Sequence, residues 1–132
     1  MASNVHAVPF SAVRALRAAA WFGAAGVTLS AIKLVTDVRI GCPWLALTGT
    51  FCPLCGATTM GSRLLVGDIA GAWANNPFVL VLLGLGLLAV IAWTVEVAGG
   101  PALRPPRALR SPALWWSILG AAALAFMIWR NL

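Results

Sequence analysis

Long stretches of apolar residues dominate the second half of the chain. Residues 78–95 are eighteen consecutive positions of which only Thr94 is polar, and residues 113–129 contain one polar residue, Ser117. A helix needs about 20 apolar residues to cross the roughly 30 Å hydrocarbon core of a bilayer. Both stretches therefore predict membrane-spanning helices.

The starts of these two helices carry the same local signal. Asn76 and Ser111 can accept hydrogen bonds from the free N–H groups of a first helical turn, and each precedes a proline. Proline is favoured at the first helical position because no hydrogen-bonded N–H is lost there. We therefore expect the helices to begin at Pro77 and Pro112.

A third stretch, residues 18–32, holds fifteen uncharged residues. It reaches spanning length if Lys33 extends its ammonium group towards the interface and the helix continues through Val35. The alternative is a cleaved signal peptide, with Arg14 and Arg17 as its basic part. We expect a span.

Composition indicates lipid rather than water as the solvent. The 132 residues are 61% hydrophobic and 9% charged, with a mean hydropathy of +0.94, whereas soluble domains have about 25% charged residues. The net charge of +6 does not predict nucleic-acid binding, because the basic residues flank apolar stretches instead of forming a stripe.

The basic residues also predict the orientation. Arg14 and Arg17 precede the first span, and Arg104, Arg107 and Arg110 lie between the second and third. Because Lys and Arg are enriched in cytoplasmic loops, three spans place both segments in the cytoplasm. We expect a multi-pass protein of the cell (inner) membrane with a cytoplasmic N-terminus, whose loop between the first two spans is extracytoplasmic and exposed to oxidising conditions.

These features predict one all-α membrane domain with three transmembrane helices. Its segments are a cytoplasmic N-terminus at 1–17, spans at 18–35, 77–97 and 112–129, an extracytoplasmic Cys-rich loop at 36–56, an interfacial helix at 57–74 and a basic cytoplasmic loop at 98–111. The interfacial helix is expected because Leu65, Ile69 and Trp73 share one face, as in a helix along the membrane surface or folded against the bundle.

Short motifs surround the three cysteines. They are Gly41-Cys42-Pro43-Trp44, Leu47-Thr48-Gly49, Cys52-Pro53-Leu54-Cys55-Gly56-Ala57-Thr58, Gly67-Asp68 and Asn76-Pro77. Their order resembles DUF2752, a family of small bacterial membrane proteins, over about residues 40–95. The resemblance implies a membrane protein without an established activity, and it marks Thr58, Asp68 and Asn76 as motif positions. The family pattern usually has an arginine after the threonine, where this chain has Thr59, with Arg63 four residues further on.

The cysteines admit three kinds of chemistry. Pro53 restricts one φ angle and Gly56 permits a positive one, so a tight turn can hold the sulfurs of Cys52 and Cys55 on one side. The pair fits a redox C-x-x-C motif with Cys42 as a relay. It also fits a site for a zinc-like metal ion, with Cys42 as third ligand and Asp37, Asp68 or another subunit as fourth. In the third interpretation Cys42 forms a structural disulfide with Cys52 or Cys55, which leaves one thiol over.

Other polar residues predict less. Lys33 and Asp37 are four positions apart and fit an ion pair at the membrane edge, and Glu96 fits an ion pair with the arginine loop. Without a partnered Ser/His/Asp set, hydrolysis has no support. We expect a non-enzymatic accessory or interaction protein of an envelope assembly, which contacts lipid and other membrane proteins or itself. The alternative is a thiol-redox or metal-binding membrane protein acting through Cys42, Cys52 and Cys55.

Overall fold

The structure, a computed structural model, describes residues 10–38, 41–104, 106 and 110–132. Within these residues the chain is helical and contains no β-strand. The helices are α1 (Ala12–Thr36), α2 (Pro43–Thr48), α3 (Ala57–Leu65), α4 (Ile69–Asn75), α5 (Pro77–Val97) and α6 (Pro112–Asn131). Arg107 and residues 1–9 of the expected cytoplasmic N-terminus lie outside the described residues.

Three helices, α1, α5 and α6, are long and apolar enough to cross a membrane. At about 1.5 Å per residue, helices of this length measure about 30–38 Å. Neither α5 nor α6 contains a buried residue, so both helices leave extensive apolar surface for lipid to cover. The predicted all-α fold with three spanning helices is confirmed, and α1 begins six residues before the predicted start.

The start of α1, the end of α5 and Arg104 lie at one end of the bundle. Arg104 forms the expected ion pair with Glu96 at 2.7 Å, and its guanidinium lies over the Phe10 ring, 5.4 Å from the centroid. Phe10 in turn contacts Trp93, with ring centroids 6.0 Å apart. At the opposite end, Asn131 of α6 is hydrogen-bonded to Phe51 of the Cys-rich segment. Three spans in alternating directions produce this arrangement.

The segment 57–74, predicted as one interfacial helix, consists of two helices. Gly67 has a left-handed φ of 77° between them, and Asp68 starts α4 by accepting a hydrogen bond from the Gly71 N–H at 2.8 Å. A left-handed glycine ends a helix at little cost, and aspartate is a preferred cap of the next one. The break therefore has a local cause, although the spacing of the apolar residues predicted one continuous helix.

The core lies where α3 crosses α1. Met60 and Ser62 of α3 and Ser30 of α1 are buried. A methyl group at Gly61 would collide with the Ser30 side chain, so the glycine allows the two helices to approach closely. The first half of the segment 57–74 is thus folded against the bundle, which was one of the two arrangements expected.

Candidate metal-binding cysteine cluster

Three cysteine sulfurs converge at one end of the bundle. The Sγ atoms of Cys42 and Cys52 are 3.3 Å apart, and those of Cys52 and Cys55 are 3.1 Å apart. All three sulfurs lie within 4.8 Å of one another. The cysteines are free thiols, and Cys52 occupies the middle of the group.

A tight turn brings Cys52 and Cys55 together. The Cys55 N–H donates to the Cys52 carbonyl at 3.1 Å, and the Cys52 N–H donates to the Cys55 Sγ at 3.2 Å. Gly56 closes the turn with a left-handed φ of 85° directly before α3. Glycine adopts this conformation without the steric penalty of a Cβ atom. The glycine of the motif thus has the positive φ that the sequence predicted.

Cys42 lies directly before α2, whose first residue is Pro43. The backbone N–H of Leu45, followed by the side chains of Cys55 and Cys52, lowers the pKa of Cys42 from 9.0 to about 7. Free N–H groups in a first helical turn carry partial positive charge and therefore favour a thiolate. Cys42 is the thiol of the cluster that ionises near neutral pH.

Cys55 has the opposite environment, since only 7% of its surface is exposed. Burial, reinforced by the side chains of Cys52 and Cys42, raises the pKa of Cys55 to about 12. A thiolate on the covered side would lose hydration and would face two further sulfurs. The cluster therefore combines Cys42, a half-buried thiol with a lowered pKa, and Cys55, a buried thiol with a raised pKa.

This asymmetry predicts the order in which the cysteines are alkylated. In the folded protein, iodoacetamide is expected to modify Cys42 well before Cys55, because the thiolate is the nucleophile. As pH rises through about 7, Cys42 loses its proton, so its alkylation rate should increase and then level off. Peptide mass spectrometry after timed alkylation measures both rates. The unfolded chain, in which the cysteines share one environment, is the control, and equal rates in the folded protein would contradict the assignment.

Asn76 connects the cysteine turn to α5. Its Oδ1 accepts the Val79 N–H at 2.9 Å, which confirms the predicted cap. Its Nδ2 donates to the carbonyls of Pro53, at 2.9 Å, and Cys55, at 3.1 Å. The residue is fully buried, at 0% exposure. Sequence reasoning identified the cap but missed the second role, because these carbonyls are more than twenty residues away.

The last turn of α6 also contacts the cysteine turn. Arg130 Nη1 donates to the Cys55 carbonyl at 2.8 Å. Asn131 accepts the Phe51 N–H at 2.9 Å and donates to the Phe51 carbonyl at 3.0 Å. Sequence reasoning missed these contacts as well. Its only relevant signal was that three spans place the end of α6 on the same side as the Cys-rich loop.

The remaining candidate residues lie elsewhere. Among the described residues, the group of close metal-ligating side chains contains the three cysteines alone. Asp68 caps α4 and forms an ion pair with Arg63 at 3.2 Å. Lys33 and Asp37 form the expected ion pair at 2.7 Å, at the end of α1. Thr58 is half-buried in the first turn of α3.

Fold and cluster together define a class: a multi-pass helical membrane protein with three thiols gathered at one end of its bundle. A family model described as a protein of unknown function, DUF2752, matches residues 42–91. The matched segment contains the three cysteines, Asn76 and most of α5, so the resemblance to DUF2752 seen in the motifs is confirmed over this segment. No curated protein and no solved structure matches the chain.

Proposed function

We propose that this protein is a non-enzymatic membrane protein that binds one soft metal ion through Cys42, Cys52 and Cys55. The observation that carries the proposal is the convergence of all three sulfurs within 4.8 Å. Tetrahedral zinc with Zn–S bonds of about 2.3 Å separates its sulfurs by roughly 3.8 Å. Small side-chain adjustments bring the observed 3.1 Å and 3.3 Å separations to this value.

A metal ion accounts for more of the geometry than a disulfide does. A disulfide joins two sulfurs at about 2.05 Å and leaves the third without a function, whereas a metal ion uses all three. Thiolate ligands favour zinc, Cu(I) and iron–sulfur centres over hard cations. A zinc-like ion or Cu(I) is therefore the ion class that fits this donor set.

The three cysteines supply three of the four ligands of a tetrahedral site, so the fourth ligand has to be a water molecule or another group. No His, Asp or Glu of the described residues joins the three cysteines. Structural zinc sites are closed by four protein ligands, whereas sites that exchange ligands keep one position for water or a partner's group. This favours an ion that is passed on or shared with another protein, in agreement with an accessory role.

Metal titration of the purified protein tests the proposal. In mild detergent and under reducing conditions, the wild-type protein is expected to bind one Co²⁺ or Zn²⁺ and to show sulfur-to-cobalt charge-transfer absorption. Cys42→Ser, Cys52→Ser and Cys55→Ser should each weaken binding by more than about 100-fold, beyond the usual loss from a residue that only supports a ligand.

Asp68→Asn is the matched control. It removes a carboxylate from the same part of the chain, and because Asp68 is used as a helix cap, metal affinity should stay within about threefold of wild type. A wild-type protein that binds no metal would refute the proposal. Equal losses in Asp68→Asn and the cysteine variants would refute the ligand assignment.

The low pKa of Cys42 favours thiol–disulfide exchange as a second candidate function. The Cys42 thiolate would attack a substrate disulfide and release one substrate thiol. Cys52, 3.3 Å away, would then attack the Cys42 sulfur, which forms a Cys42–Cys52 disulfide and releases the second thiol. In Cys52→Ser the mixed disulfide with Cys42 should accumulate. If it does not, this alternative fails.

We further propose that the cysteine cluster is extracytoplasmic and the N-terminus cytoplasmic, as the distribution of basic residues indicates. Intact cells treated with a reductant and then with a membrane-impermeant thiol reagent test this orientation. Cys42 is the expected target because it combines partial exposure with a low pKa. Labelling that requires disruption of the membrane would contradict the proposed orientation.

A further inference from the structure

A second feature of the molecule is a cleft between α6 and the junction of α4 and α5. Its volume is about 390 Å³, and Trp73, Pro77, Phe126, Trp129 and Arg130 contribute to its walls. The side chains of Trp73 and Trp129 are largely exposed. The cleft therefore combines aromatic walls with one cationic group.

The charge of Arg130 is not neutralised within the described part of the chain. The whole sequence contains three acidic residues, and these are Asp37, Asp68 and Glu96, each ion-paired with another basic residue. Among the described residues, no carboxylate lies within ion-pair distance of Arg130. The described part of the chain therefore supplies no carboxylate counterion for this guanidinium.

Arg130 also retains free hydrogen-bonding capacity and a fixed position. Among the described residues, the Cys55 carbonyl accepts a hydrogen bond from one of its five N–H donors, at 2.8 Å. Its guanidinium lies over the rings of Phe51, at 5.1 Å, and Phe126, at 5.9 Å. These contacts hold the planar group in place while its remaining donors stay available. A fixed guanidinium with free donors suits the paired oxygens of a phosphate group.

The position of the cleft suggests where the phosphate comes from. Pro77 begins one spanning helix and Asn131 ends another, so Arg130 lies at the level where the hydrocarbon region ends. Tryptophan is enriched at this level because its ring is apolar and its N–H is polar. Phospholipid phosphates occupy the same level.

We propose that this cleft binds the phosphate of an anionic phospholipid. The remaining N–H donors of Arg130 contact the phosphate oxygens, and the rings of Phe126 and Trp129 contact the adjoining apolar part of the lipid. None of the three cysteines lines the cleft, so lipid preference and metal affinity are measured separately and either proposal can fail without the other.

Lipid exchange followed by native mass spectrometry tests the proposal. The protein is equilibrated with mixed micelles that contain equal amounts of phosphatidylglycerol and phosphatidylcholine. The wild-type protein is expected to retain phosphatidylglycerol preferentially, and Arg130→Gln should lower this preference about fivefold, as for the loss of one basic contact with an anionic lipid. An unchanged preference in Arg130→Gln would overturn the proposal.

Arg63→Gln is the matched control. It removes the same charge at the same end of the bundle, but Arg63 is already paired with Asp68, so the lipid preference should stay at the wild-type value. An equal reduction in both variants would indicate nonspecific attraction and would overturn the proposed site. Inorganic phosphate is a third arm: if it raises the unfolding midpoint as much as phosphatidylglycerol does, the site takes a free anion and the lipid assignment fails.

A photo-crosslinking phosphatidylglycerol analogue tests the wild-type protein without relying on a variant. Crosslinks are expected to concentrate on peptides that contain Trp73 and Trp129. Crosslinks spread evenly along α1 and α5 would overturn the proposal even if Arg130→Gln does not fold.

Discussion

Replacing Asn76 by alanine is expected to lower the free energy of unfolding by about 4 kcal/mol, because one fully buried amide makes three hydrogen bonds and each unsatisfied buried group costs about 1–3 kcal/mol. The variant leaves the carbonyls of Pro53 and Cys55 and the N–H of Val79 without this partner. It also frees the cysteine turn from α5, so metal affinity should fall together with stability. Equilibrium unfolding in detergent and metal titration measure the two effects.

Two further variants separate the roles of this side chain. Asn75→Ala is the neighbouring control: Asn75 is half-buried and donates only to the Gly71 carbonyl of its own helix, so the expected loss is about 1 kcal/mol. Asn76→Asp keeps the cap acceptor but directs an oxygen at two carbonyl oxygens, so most of the stability should still be lost. A stable Asn76→Asp protein would contradict the role of the amide as donor.

Gly56→Ala is expected to cost about 3 kcal/mol and to weaken metal binding, because it combines left-handed backbone strain with a steric conflict. The glycine has a φ of 85°, and a Cβ atom there would lie 3.1 Å from the Asn75 carbonyl oxygen and 3.6 Å from Arg130 Nη2. Relief of the contact with Asn75 requires a small shift of that carbonyl or of the turn between Cys55 and α3. Equilibrium unfolding and cobalt titration of the variant report the two consequences.

Gly49→Ala supplies a control with the same backbone strain and open surroundings. Gly49 has a φ of 70°, and beyond its chain neighbours no atom lies within 4 Å of the position that a Cβ atom would occupy. The expected loss is about 1 kcal/mol, which represents the left-handed conformation alone, with metal affinity unchanged. Equal losses in the two alanine variants would show that contacts of the added methyl group with Asn75 and Arg130 do not contribute to the loss of stability in Gly56→Ala.

Sequence reasoning succeeded where the cause is local. Continuous apolar stretches identified α5 and α6, and the Asn76-Pro77 and Ser111-Pro112 pairs marked their starts. The predicted cap is present at Asn76 but wrong at Ser111, whose side chain makes no capping hydrogen bond. The ion pairs of Lys33 with Asp37 and of Glu96 with Arg104 followed from helical spacing and loop proximity. The prediction was wrong for residues 57–74, which form two helices. The periodicity of the apolar residues predicted one helix, whereas Gly67 and Asp68 end one helix and begin the next.

The cysteines show which features follow from local sequence and which depend on tertiary structure. The motif alone established that Cys52 and Cys55 share a tight turn, since proline and glycine restrict the backbone over a few residues. It left disulfide, metal and redox interpretations open, because the position of Cys42 depends on how α2 is placed. Only the tertiary structure brought the third sulfur to the pair.

The sequence by itself determined that this is a helical membrane protein and that α5 and α6 begin at Pro77 and Pro112, because these features follow from residue type and short spacing. The tertiary structure decided that three sulfurs meet, that Asn76 and Arg130 hold the same carbonyl of Cys55, and that Arg130 faces a cleft without a counterion of its own. The two hydrogen bonds to this carbonyl join residues that are 21 and 75 positions apart. Side-chain hydrogen bonds over such separations depend on helix packing, which no local pattern encodes.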